Sequence, residues 1–155
     1  MNRTLPSTWL NRTNEIELDY VRPLFNKMFY IRSSKSADSF LKRFVHLKQL
    51  DLKERFWALY LNNANGVVGI SEIAKGSTTS VCVNIRHVFQ LALLTNAVAI
   101  IVAHNHPSGT LKVSGADKAI TRKLINAGTF MDVKILDHLI ITSESYVSLA
   151  DENLM

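Results

Sequence analysis

Along this chain the spacing of hydrophobic and polar positions switches repeatedly between the period of a strand and that of a helix. AVAIIVA, residues 97–103, is a short continuous apolar run rich in β-branched residues, the pattern of a strand buried on both faces. Upstream, FWALYL and VVGISEIA flank the turn-forming NNANG and predict a β-hairpin over 56–74, with TSVCV as a third short strand over 79–83. Phe40, Leu41, Phe44 and Val45 recur at helical spacing while Lys42, Arg43 and Lys48 fill the other face, which predicts an amphipathic helix over 37–47. In NIRHVFQLALLTN apolar residues cover most of the surface, as in a helix buried in the core, and Asn84 stands where an N-cap belongs. A further helix opens at Ser114, with Ala116, Ile120, Leu124 and Ala127 as its stripe and Gly128 as its stop. The tail offers two or three short strands, VKIL, LIIT and YVSL.

The first thirty residues are less regular. Residues 16–32 mix aromatic and aliphatic side chains around Pro23 and predict two short strands or a broken edge strand, while 1–15 are polar and aperiodic and read as an extended arm. Strands that alternate with helices define an α/β fold, a mixed β-sheet sandwiched by helices. The arm and edge strand occupy 1–30, and the main domain 31–155.

Composition narrows the function classes. A chain of 155 residues with 47% hydrophobic content can bury one sizeable core. It opens without a signal-peptide run, and no later stretch approaches the roughly 18 apolar residues of a membrane helix, so a cytoplasmic protein without a membrane partner is expected. The lone cysteine, Cys82, excludes an intrachain disulfide and a thiolate-rich zinc site; a metal must be held by nitrogen and oxygen. The net charge of +5 belongs to the N-terminal third, where residues 1–50 carry nine Lys/Arg against four Asp/Glu, while 51–155 carry nine of each. Weak, sequence-independent nucleic-acid binding through that basic third is the corresponding expectation.

The chemistry concentrates in VAHNHPSGTLKVSGAD, residues 102–117. Side chains alternate on a strand, so His104 and His106 point the same way at the C-terminal end of the buried strand, and Asn105 points the other way. With Asp117 in the first turn of the next helix, the three can converge on one cation. Two imidazoles and a carboxylate suit zinc, and three protein ligands leave a fourth position for an activated water. Such a site also needs a carboxylate that carries protons without ligating the metal. Glu72 is the candidate, because alternation in VVGISEIA places it on a face with Val68, Ile70 and Ala74, where a charge is costly without a purpose. Glu54, the competing acid, sits in the charged run DLKER and reads as solvated. Ser114 could donate a hydrogen bond to a developing oxyanion.

Each element also has a plainer reading. Ser114-x-x-Asp117 is a capping box in form, a turn histidine is often a surface residue, and Glu72 could be a half-exposed edge residue. It is their combination that points to one site. His46, His87 and His138 lack such company and read as structural or solvated.

Glu72, HNHPSG at 104–109 and Ser114-x-x-Asp117 together resemble the metalloprotease signature of JAB/MPN domains, Glu…His-x-His-x7-Ser-x2-Asp, and the HNHPSG form resembles the bacterial RadC proteins. ADKAITRKL, LDHLIIT at 136–142 and the closing SYVSLADENL extend the likeness over roughly 31–154. The resemblance implies a cytidine-deaminase-like α/β sandwich, one zinc per chain held by His104, His106 and Asp117, Glu72 as general base and Ser114 as transition-state stabiliser. It further implies a metallopeptidase or isopeptidase acting on a protein or peptide amide. A DNA repair or recombination factor without hydrolytic activity is the alternative. A zinc deaminase is disfavoured, since its Pro-Cys-x-x-Cys and His-x-Glu elements are missing.

Overall fold

The computed structural model describes residues 20–45, 47–76 and 82–155. Five strands, β1 (Arg55–Leu61), β2 (Val67–Lys75), β3 (Ala99–Asn105), β4 (Lys134–Ile141) and β5 (Tyr146–Ser148), form one sheet in the order β2-β1-β3-β4-β5. The β3–β4 pair is parallel and the others antiparallel, so the sheet is mixed as expected. Helix α1 (Ser34–Phe44) covers one face, and α2 (Ile85–Leu94) and α3 (Gly115–Met131) the other. Strand β1 is the spine. Its Trp57, Leu59 and Leu61 pack with Ala37 and Leu41 of α1, whereas Phe56, Ala58 and Tyr60 pack with Val88, Phe89 and Ala92 of α2 and Leu124 of α3.

The hairpin forms where the pattern put it, because Asn62 Oδ1 accepts from Ala64 N and Gly66 N while Asn65 takes the left-handed conformation. Helix α1 starts three residues earlier than its periodicity suggests: Ser33 and Ser36 form a capping box there, leaving Phe44 at the far end half exposed. Asn84 does cap α2, but that helix buries only Val88, Phe89 and Ala92 and exposes Leu93, so it is one-faced rather than enclosed. Gly128 lies inside α3 instead of ending it. A Cβ there would collide with the Val133 carbonyl, and the helix stops at Asp132, which is left-handed with φ 54°.

Several expected strands differ. VKIL and LIIT join into the single strand β4, in which Leu136 is an extra residue in the pairing with β3. In place of strands before residue 32, the described part holds a 3-10 turn at Phe25–Lys27 and one bridge between Tyr30 and Gly66. Pro23 and the turn beside it leave no run long enough to pair. The strand expected over 79–83 falls mostly outside the described residues, as do the arm 1–15 and His46. None of the described helices is long and apolar enough to cross a membrane.

Candidate metal centre

The buried strand β3 ends at the site. His104 is 4% exposed and stacks on Phe56 with ring centroids 6.1 Å apart, on the α2/α3 face of the sheet. After Asn105 the chain leaves the strand through Pro107 and Gly109, with Gly109 N donating to His106 O at 3.0 Å and Gly109 at φ 75°. That turn holds His106 by its Nδ1, which lies 2.8 Å from the Thr110 carbonyl. A carbonyl only accepts, so the His106 ring carries a proton at Nδ1, and in the neutral imidazole the lone pair is then the one at Nε2.

Ser114 N-caps α3. Its Oγ accepts from Asp117 N at 3.1 Å, and Asp117 Oδ2 accepts from Ser114 N at 2.7 Å. The capping box is therefore real, yet it uses only one carboxylate oxygen. Asp117 Oδ1 turns inward to His104 Nε2 at 3.1 Å, His104 Nε2 lies 2.9 Å from His106 Nε2, and His106 Nε2 lies 3.8 Å from Asp117 Oδ2. Donor atoms of the three residues fall within 4.8 Å of one another. Burial alone would raise the Asp117 carboxyl, but the neighbouring His104 ring and the hydrogen bonding with Ser114 outweigh it and hold the group well below the usual carboxylate range. It is a permanent anion at neutral pH.

The donor set fits a zinc ion. Zinc bonds of about 2.0–2.1 Å at tetrahedral angles separate neighbouring ligands by about 3.3–3.4 Å. His104 Nε2 stands 2.9 Å from His106 Nε2 and 3.1 Å from Asp117 Oδ1, somewhat inside that value, while the 3.8 Å from His106 Nε2 runs to the other carboxylate oxygen, Oδ2; one donor atom from each residue still lies within 4.8 Å of the others.

Glu72 is not brought to this cluster. It pairs with Trp57 across β1–β2, lies on the α1 face, and its Oε2 accepts from Arg55 Nη1 at 2.8 Å. Two irregularities on β2 account for the misreading. Register shifts between Tyr60 and Leu61, and between Phe56 and Trp57, place Val68 and Ala74 with the α2/α3 cluster, while Ile70 and Glu72 face α1. Alternation carried across a bulge changes face.

The family model described as a RadC-like JAB domain matches residues 31–154. The chain belongs to this family. A UPF0758 protein of Flavobacterium johnsoniae is 44% identical over 128 residues, which cover 83% of this chain and 55% of that protein. UPF0758 protein YfjY of Escherichia coli K12 is 40% identical over 124 residues, 79% of this chain and 75% of that protein. A UPF0758 protein of Chloroflexus aurantiacus is 38% identical over 140 residues, 90% and 60% of the respective chains. Two of these three relatives are thus covered for less than two thirds of their length.

Within this RadC-like JAB domain, three further residues bear on the site: Glu54, which by sequence alone reads as solvated, His138, which reads as structural or solvated, and Asn105, which the strand period only points away from the histidines. Glu54 is half-buried and two residues before Phe56, so the strand period puts its side chain on the face where Phe56 stacks on His104; continuing the Phe56–His104 register by two sets it across from His106. Asn105, fully buried, clamps the loop that carries Glu54: its Oδ1 accepts from Arg55 N at 2.7 Å and its Nδ2 donates to Leu50 O at 2.5 Å and Lys53 O at 2.9 Å. His138 is fully buried, with Nε2 2.8 Å from His104 Nδ1 and Nδ1 2.6 Å from Thr121 Oγ1. Burial, and then the neighbouring His104, push its pKa down to about 3. A signal for His138 existed: a histidine inside the apolar LDHLII is costly unless paired.

Proposed function

We propose that this RadC-like JAB domain is a zinc-dependent hydrolase of amide bonds, a peptidase or isopeptidase acting on a protein or peptide. The observation that carries the reading is the convergence of two imidazole nitrogens on one anionic carboxylate, His104 Nε2 and His106 Nε2 only 2.9 Å apart beside Asp117. Bare nitrogens facing an anion at that distance call for a cation between them. His104, His106 and Asp117 would hold zinc, which when bound would supply Lewis-acid activation of water and of the amide carbonyl near neutral pH. Glu54, on the same face, takes up a proton at its carboxylate and returns it to the leaving nitrogen. Ser114 spends its oxygen lone pair on Asp117 N, and its hydroxyl proton goes to the developing oxyanion. Glu72, held by Arg55 across the sheet, takes no part.

The test is metal content. Purified protein should hold close to one zinc per chain, and His106→Ala and Asp117→Ala should lose it. Asp117→Asn should keep much of the cap of α3 while weakening the metal. Unchanged zinc in both alanine variants would return Ser114 and Asp117 to a capping role alone.

The unequal charge supports a second reading, a DNA-associated factor. Nine Lys/Arg against four Asp/Glu in residues 1–50 predict binding that ignores sequence, falls steeply with salt and is largely lost on deleting residues 1–15 with Arg3 and Arg12. Filter or fluorescence binding across a salt series checks this; affinity that survives both deletion and moderate salt would place the surface elsewhere.

A further inference from the structure

The proton positions in the buried chain behind His104 follow from counting donors. Thr121 Oγ1 lies 2.6 Å from the Asp117 carbonyl oxygen, which only accepts, so the single hydroxyl proton is spent there. Toward His138 Nδ1, also at 2.6 Å, the same oxygen is therefore an acceptor and the ring nitrogen a donor. The side-chain hydrogen bonds of His138 go to Thr121 and His104 and to no carboxylate, and the ring is fully buried, so it is neutral with its lone pair on Nε2. His104 Nδ1, 2.8 Å away, must then bring the proton. This leaves His104 Nε2 bare and turned to Asp117 and His106.

We propose that His138 is a positioning residue for the metal: through the ring-to-ring hydrogen bond it holds His104 in the tautomer and orientation that present Nε2 to Asp117 and His106. The proposal rests on the metal reading given above. His138 comes from β4, its partner Thr121 from α3, and the chain of bonds closes on the backbone of Asp117 itself. Two of the three ligands are thereby tied to one another through three elements. Phe56 completes the enclosure, stacked on His104 and edge-on to His138 at 5.6 Å. His106 is held instead by the Thr110 carbonyl of its own turn.

Two measurements on the full chain test this. In metal-free protein at neutral pH, nitrogen-15 shifts of the histidine rings should show His104 protonated at Nδ1. In His138→Phe, which keeps a buried ring but offers no acceptor, that preference should disappear, and zinc affinity measured against a chromophoric chelator should fall about 10- to 100-fold. His138→Gln can accept at its carbonyl and donate at its amide, and should recover most of both. Thr121→Val removes the far end of the chain and should give a smaller loss in the same direction, a second route if His138→Phe does not fold. Zinc affinity within a factor of about two of the parent in His138→Phe, with His104 still protonated at Nδ1, would overturn the proposal. If the parent chain takes up no zinc, the metal reading fails, and the ring shifts in the parent and variants still decide what His138 does to His104.

Discussion

Glu54→Gln is expected to lower turnover by a factor on the order of 100 to 10,000, the usual worth of a general acid-base group, with zinc content and fold unchanged. Glutamine keeps the volume and a hydrogen-bonding oxygen but cannot take a proton. Glu72→Gln is the matched control. Its side chain is 35% exposed and paired with Arg55, so the change removes a half-solvated ion pair worth at most about 1 kcal/mol and should leave turnover within a factor of about three. The pair should be assayed on a substrate selected from peptide and isopeptide libraries with zinc-loaded protein. If instead Glu72→Gln is the dead enzyme and Glu54→Gln the active one, the placement of the proton carrier on the α2/α3 face is wrong. Should neither change affect cleavage, the mechanism itself fails even with zinc bound at His104, His106 and Asp117.

Asn105→Ala should cost about 2–5 kcal/mol, because it strands the Arg55 N–H and the Leu50 and Lys53 carbonyls, and unpaired buried groups cost about 1–3 kcal/mol each where water does not reach them. For a domain of this size that corresponds to a melting temperature lower by about 5–15 °C. Aspartate is no rescue. Its second oxygen would face two carbonyl oxygens, and a buried charge would be added, so Asn105→Asp should melt no higher than the alanine variant. Zinc content should persist, since His104 and His106 point to the opposite face. Turnover should fall nonetheless, because the loop released carries Glu54. A melting temperature within a degree or two of the parent would mean that water already satisfies the loop and that Asn105 positions nothing.

What the sequence determined by itself is local. Strand β3, the N-cap of α3 and the candidate metal triad lie within one stretch of the chain, 99–117, where strand alternation, a Pro-Gly turn and a capping box each act over a few residues. The same holds for the hairpin turn, set by Asn62, Asn65 and Gly66. Such features depend on backbone sterics and short-range hydrogen bonds, which the order of residues specifies directly. The alternation of strands and helices likewise left few architectures besides a covered mixed sheet. Tertiary structure decided which distant residues join the site. Which face Glu72 takes turns on bulges at Val68 and Ile73, and a bulge is one extra residue opposite a partner in another strand, while Glu54 is set by the pairing of β1 with β3. His138 meets His104 only because β4 pairs with β3 in one particular register, and Asn105 meets Leu50 and Lys53 only because β1 lies on the other side. Register is an agreement between two strands distant in sequence, settled by the packing of both faces of the sheet at once, and no single segment carries it.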